Sequence, residues 1–249
     1  MLSRLQQAPR NNHARASALA QLFADAGCAG EHLVRESVKH RRDANVICVL
    51  PGGTEQRILV TAHTDKADEG YGVVDDWSGA SMLADLLESL RTAPRRHTFV
   101  FIGFTAEEDG LAGSRFYVKT LTAAERSRIG AVVNVECLGL SPTAVWLHHA
   151  DPRLAQVAGQ AAATVKLPIR AINVERVGED DAMSFAAAHI PTITFHSVTQ
   201  ETLQILHSPQ DTYRAIHPDE YYDSYHLLAA YLALADVSIE DGASPASRR

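Results

Sequence analysis

Apolar positions along this chain alternate between a helical period and a strand period. Residues Ala14 to Ala26 carry apolar side chains at helical spacing and stop at Gly27, which predicts a helix. Val46 to Leu50 is a short apolar run closed by Pro51, Gly52 and Gly53, and Ile58 to Ala62 is a second; both predict strands. Ala80 to Leu90 predicts a helix with a strong apolar face. Thr98 to Phe104 is almost continuously apolar, the pattern of a strand covered on both faces. Further strands are predicted at Ala131 to Val135, Ala144 to Leu147, Ile169 to Val174 and Thr192 to Phe195. Helices are predicted at Leu154 to Val165, Ala182 to Ala188 and Pro218 to Val237, the last with proline just inside its start. Strands alternating with helices, without a repeat or an internal linker, predict one α/β domain over residues 1–237 around a mixed, mostly parallel sheet. Residues 238–249, with Gly242, Ser244, Pro245, Ser247 and two arginines, are expected to form a disordered tail.

Composition narrows this picture little. The 249 residues can bury a sizeable core, and 46% hydrophobic with 21% charged residues is ordinary for a globular enzyme. The formal charge of −7 argues against nucleic acid as a main partner. Cys28, Cys48 and Cys137 are widely spaced and form no paired motif, so three buried thiols are expected rather than a disulfide or a cysteine zinc site. Met1 to Arg10 has no apolar signal-like core, and the apolar runs are too short to span a bilayer. A cytoplasmic protein with no membrane partner is expected; secretion after removal of a leader is the alternative. Oligomeric state is not legible.

Candidate chemistry gathers at the carboxyl ends of predicted strands. Strand 58–62 runs into His63-Thr64-Asp65, strand 98–104 into Thr105-Ala106-Glu107-Glu108-Asp109, and strand 131–135 into Glu136. Between them, Asp75-Asp76-Trp77-Ser78-Gly79 opens a helix. Open α/β sheets bind ligands beyond those strand ends. Clustered acids there are costly unless a cation compensates them. Histidine and carboxylates without thiolates suit zinc, manganese or cobalt. Taken singly, His63-x-Asp65 reads as surface polarity, Asp75-Asp76 with Ser78 as a turn and helix cap, and Glu107-Glu108-Asp109 as a solvated acidic loop. Their conjunction carries the weight. Gly70-x-Gly72 lacks the third glycine of a dinucleotide site, and no nucleophile elbow, Walker A sequence or His-Glu-x-x-His occurs.

His63-Thr-Asp65, Asp75-Asp76-Trp-Ser-Gly79, Phe104-Thr-Ala-Glu107-Glu108-Asp-Gly110-Leu-Ala-Gly113-Ser114, Asn134-Val-Glu136 and His207-Ser-Pro-Gln-Asp211-Thr212 together resemble the M28 zinc peptidases, the co-catalytic di-zinc aminopeptidases. The order matches from about residue 10 to residue 237. The resemblance implies a three-layer α/β/α domain around a twisted sheet and two Zn²⁺ ions, with Mn²⁺ or Co²⁺ as alternatives. It implies that His63 and Glu136 bind one ion, Glu108 and His207 the other, and that Asp75 bridges both. Glu107 would be the general base in removing N-terminal residues from a peptide substrate, Asp65 would orient His63, and the Asp75–Asp76 peptide bond would be cis. On strand-end logic His196 rivals His207; the family's pattern selects His207. Relatives often carry Asp in place of Glu136 and Asn in place of Trp77, and the family's Ser-Asp-His segment reads here as Asp180-Asp181-Ala182. Tyr213, Phe185 and Met183 are weak candidates for the substrate pocket, with core packing the stronger reading. His148, His149, His217 and His226 read as surface or helix-cap residues. Two other readings stand beside the aminopeptidase: a single-zinc glutaminyl cyclase on the same fold, and a non-catalytic binding protein. Asp65, Asp75, Asp76, Glu107, Glu108 and Glu136 account for nearly all of the excess acid, so the rest of the chain is close to neutral.

Overall fold

The computed structural model describes residues 1–174 and 178–239. A short helix α1 (Leu2–Gln6) precedes α2 (Asn12–Asp25), which is capped by the Asn11 side chain accepting from the amide of His13. Strands β1 (Leu33–Ser37), β2 (Ala44–Leu50) and β3 (Arg57–His63) lead to α3 (Ser78–Leu90). There follow β4 (Thr98–Phe104), α4 (Ala112–Thr120), α5 (Ala123–Ser127), β5 (Ile129–Val135), β6 (Ala144–Val145) and α6 (Pro152–Val165). The chain continues through β7 (Arg170–Ala171), α7 (Ala182–Ala186), β8 (Thr192–His196) and α8 (Pro218–Ser238).

Among the described residues the strands form one eight-stranded sheet in the order β1-β2-β4-β3-β5-β8-β6-β7. Its centre, β4-β3-β5-β8, is parallel, while β1-β2, β2-β4 and β6-β8 pair antiparallel. Successive residues of the central strands alternate between two cores, as the pleat requires. Phe99 and Phe101, Ile58 and Val60, and Val133 and Val135 face the larger core with α2, α3, α6 and α8. Val100, Ile102, Phe104, Leu59 and Val132 face the smaller one, which α4 and α7 complete with Tyr117, Val118 and Phe185. This is the expected three-layer arrangement. No helix among the described residues is long and apolar enough to cross a membrane.

The structure corrects several expectations. Cys28 and Cys48 form a disulfide across 20 residues, tying the end of α2 to β2; only Cys137 is a buried free thiol. Wide spacing in sequence says little about two cysteines that antiparallel packing brings together. The strand predicted over 169–174 is reduced to two exposed residues, Arg170 and Ala171, paired with β6. The polar edge strand β1 and the helices α1, α4 and α5 have no counterpart in the predicted elements. The sequence Leu-Val-Arg-Glu-Ser of β1 is exposed over most of its length and lacks an apolar run. The expected tail lies, from residue 240 onward, outside the described residues.

Candidate metal centre

His63 is the last residue of β3, Glu107 and Glu108 lie in the loop after β4, and Glu136 follows β5 directly. Parallel pairing in register places these ends side by side on one sheet edge. Asp75 reaches the same edge from the turn before α3, across a cis Asp75–Asp76 peptide bond. His207 enters from the long loop between β8 and α8. Gly79 is required at the start of α3, because a side chain there would overlap the carbonyl of Val135 and the carboxylate of Asp76.

The two oxygens of Asp75 face different histidines. His63 Nε2 lies 3.0 Å from Oδ1, and His207 Nε2 lies 3.1 Å from Oδ2. His207 Nε2 is also 3.1 Å from Glu108 Oε2. Asp75, Glu108 and His207 offer ligand atoms within 4.8 Å of one another, close enough to hold one cation. Glu136 lines the same cleft, of about 490 Å³, together with Asp75, Glu107, Glu108 and His207. Its Oε2 accepts from Asn134 Nδ2 at 2.9 Å, and Asn134 Oδ1 accepts from Thr61 at 2.7 Å. The buried oxygen Oε1 of Glu108 has no hydrogen-bond partner among the described residues. A donor set of two imidazoles and three carboxylates, with one carboxylate oxygen left for a further partner, fits one or two divalent cations such as zinc.

Without a cation, the electrostatics are strained. Burial pushes the Glu107 carboxyl up to about 9; His63 opposes this, and Asp181, Asp75 and Glu108 add to it. Glu136 is driven far above the usual carboxylate range by burial and by Asp180 and Glu107. Asp75 goes the other way: burial would raise it, but His207 and His63 hold it well below its ordinary value. Hydrogen bonds donated to Asp75 and Glu108 push His207 up to about 10 against its partial burial. Carboxyls that resist ionisation beside each other are where a cation gains most.

Supporting residues explain the placement. Asp65 Oδ1 faces His63 Nδ1 at 3.7 Å, an ion-pair distance longer than a hydrogen bond. Its two oxygens also accept the amides of Glu107 and Glu108 at 3.0 and 3.1 Å, so Asp65 fixes the acidic loop. Asp76 is fully buried and accepts the amides of His63, Gly79 and Cys137 at 3.3, 2.9 and 3.0 Å, joining three elements. Two residues given no role by the sequence stand beneath the site. Asp211 Oδ1 accepts the amide of Val74 at 2.6 Å and Oδ2 that of Asp75 at 3.3 Å. Arg15 of α2, fully buried, donates to the carbonyls of Thr64, Tyr71 and Gly72 at 3.2, 2.7 and 2.8 Å. Asp211 was visible in the sequence as part of His207-Ser-Pro-Gln-Asp211; an arginine inside a helical pattern carries no such signal.

The remaining candidates fall elsewhere. His196 is buried, with Nδ1 accepting the amide of Val198 at 3.2 Å and Nε2 donating to the carbonyl of Ile172 at 3.1 Å. Both nitrogens are engaged, and burial lowers its pKa to about 4. It lines a cavity of about 20 Å³ with Cys137, Trp146, Val174 and Val198 that adjoins Glu136 and has room for about one water. Phe185 is core, Tyr213 packs against the core, and Met183 lies outside the cleft. Asp181 is buried with both carboxylate oxygens unpartnered. His148, His217 and His226 are exposed, and His149 packs edge-on against Trp146 at 4.7 Å.

Comparison with known proteins places this geometry. A family model described as Peptidase family M28 matches residues 45–232. The probable leucine aminopeptidase 2 of Aspergillus fumigatus is 28% identical over 160 residues, 64% of this chain and 30% of its own. A zinc aminopeptidase from Bacillus subtilis superimposes with a TM-score of 0.71 at 24% identity, over 81% of this chain and 52% of that one. A glutaminyl cyclase from Porphyromonas gingivalis superimposes with a TM-score of 0.73 at 16% identity, over 93% of this chain and 94% of that one. The chain spans about a third of the length of the first curated relatives it matches.

Proposed function

The chain belongs to peptidase family M28, and from that premise we propose that it is a zinc-dependent aminopeptidase hydrolysing the first peptide bond of peptides with a free amino terminus. The observation that carries the two-ion form of this reading is Asp75, whose oxygens turn to His63 on one side and His207 on the other. That is what a bridging carboxylate does. His63 and Glu136 would hold one ion, Glu108 and His207 the second, and Asp75 both.

Bound zinc supplies Lewis-acid polarisation of the carbonyl and lowers the pKa of water. The protein's own groups do the rest. Glu107 lines the cleft beside Glu108 without sharing the 4.8 Å cluster. Its carboxylate accepts the proton of the attacking water and returns it to the leaving amine. With cations bound at the neighbouring carboxylates, Glu107 would be ionised and able to act as a base. Asp65 keeps that carboxylate in place through the amides of Glu107 and Glu108. The acidic walls of the cleft favour a substrate end that carries an amino group.

A second reading, a single-zinc glutaminyl cyclase, is favoured by one observation: among the described residues, Asp75, Glu108 and His207 form the one three-donor site. Zinc per chain separates the two. Two ions, with chelator-sensitive release of nitroaniline from aminoacyl-nitroanilides, are expected of the peptidase. One ion, with cyclisation of N-terminal glutamine, would replace it by the cyclase. A zinc-loaded protein inactive in both assays would leave a binding protein.

A further inference from the structure

A second groove, of about 320 Å³, lies beside the acidic cleft and shares Leu111 and Glu179 with it. The charge reverses across that shared wall. On the cleft side stand Asp75, Glu107, Glu108 and Glu136. On the far side stand Arg115, Lys119 and Arg126 above Val118 and Met183. Arg115 and Lys119 are exposed and one turn apart on α4, so both point to the same side. Arg126 comes from α5; its Nη2 donates to the Leu121 carbonyl at 3.5 Å, and its buried Nε has no hydrogen-bond partner among the described residues. Glu179, paired with Arg115 at 3.2 Å, is the acid lining the groove, and the nearby Glu125 is engaged by Thr122. Three cations against one acid leave the groove positive.

We propose that this groove binds a carboxylate carried by the leaving portion of the peptide, which makes the enzyme selective for short peptides with a free carboxyl terminus. The proposal rests on the aminopeptidase reading. The Glu136 side of the cleft ends in a cavity with room for about one water, whereas the Leu111 side continues into the groove. A peptide whose amino end lies among the carboxylates therefore runs its remaining residues toward the cations. A guanidinium offers a carboxylate two parallel N–H donors, and hydrogen bonds between charged partners are about twice as strong as neutral ones.

The test uses the zinc-loaded full chain and Leu-Ala-Ala as free acid and as carboxy-terminal amide. Amidation is expected to lower kcat/KM about tenfold, mainly through KM. In the Arg115→Gln/Lys119→Gln double variant the acid-to-amide ratio should fall toward one, with Arg126 the remaining cation, while Arg115→Lys, which keeps the charge but loses the paired donors, should lower it only in part. Equal rates for acid and amide in the unmodified protein, or a ratio that survives the double variant, would overturn the proposal. Leu-Ala-Glu amide names the source: if it matches the acid, any carboxylate serves; if it matches the amide, the carboxyl terminus is read. Leucine nitroanilide tests the underlying activity separately. Should it not be cleaved, calorimetric titration of metal-free protein with the same acid and amide still decides, because equal affinities refute the groove and tighter binding of the acid supports it.

Discussion

Replacing Arg15 by methionine should cost about 3–5 kcal/mol of stability. The side chain is fully buried, and its guanidinium lies 5.6 Å above the Trp77 ring. Nε donates to the Pro9 carbonyl at 2.9 Å, and the Nη atoms reach Thr64, Tyr71 and Gly72 at 3.2, 2.7 and 2.8 Å. Burial lowers its pKa to about 10, with Asp211, Asp65, Asp76 and Asp75 pulling back, so it is charged at neutral pH. Methionine keeps an unbranched apolar stem but ends near the position of Nε, so it removes the guanidinium over Trp77 and every donor. Gly72 still accepts the Trp77 amide at 3.2 Å, so the main losses fall on Thr64, Tyr71 and Pro9. A fully buried acceptor left bare costs about 1–3 kcal/mol, and partly exposed ones less. Four neighbouring carboxylates also lose their buried cation. For a domain of this size each kcal/mol moves Tm by about 2–4 °C, so a fall of about 6–20 °C is expected. Urea unfolding of metal-free protein reads the stability, and zinc titration reads the site, because Thr64 and Gly72 flank His63 and Asp75. A loss under about 1 kcal/mol with unchanged zinc affinity would refute the clamp. Arg15 stands outside the family-matched residues 45–232, so this result would also show that α2 is part of the site's support.

Glu107→Gln should abolish peptide hydrolysis while zinc content, by elemental analysis, stays at the unmodified level; near-normal turnover would remove Glu107 from the base role. Reducing the Cys28–Cys48 disulfide, which spans 20 residues, should cost about 3 kcal/mol and lower Tm by about 6–12 °C. Scanning calorimetry with and without reductant checks this, and Cys28→Ser/Cys48→Ser should match the reduced protein. His196 is held neutral down to about pH 4, whereas the unfolded chain takes up that proton near 6.5. The unfolded state thus binds more protons between these values, and stability falls by up to about 3 kcal/mol as pH drops from 6.5 to 4. His196→Gln should flatten the acid limb of a stability-versus-pH curve; an unaltered slope would show that other groups set it.

Much of the framework was legible because it depends on near neighbours. Thr98 to Phe104 spans β4 without error, since a strand covered by helices on both faces must be apolar at every position. Pro218 marks a helix start that the structure keeps, while α2 begins at Asn12, two residues before the predicted Ala14. The polar strand β1 was not legible, because an edge strand is held by backbone pairing with β2 and needs no apolar run. Helix α4 was obscured by the acidic loop it follows, which turns through Leu111 at a positive φ of 59°.

By itself, the sequence determined the order of the central elements, the donor types at their ends and, through five ordered motifs, the family. Those properties rest on local periodicity and short spacing. Packing of distant elements set the rest: the two oxygens of Asp75 face separate histidines, Asp65 braces the acidic loop as well as facing His63, and Cys28 meets Cys48. It also decided that Arg15 closes the site from below and that cations line the next groove. These depend on the relative placement of elements far apart along the chain, which packing of the two cores sets and no local pattern encodes.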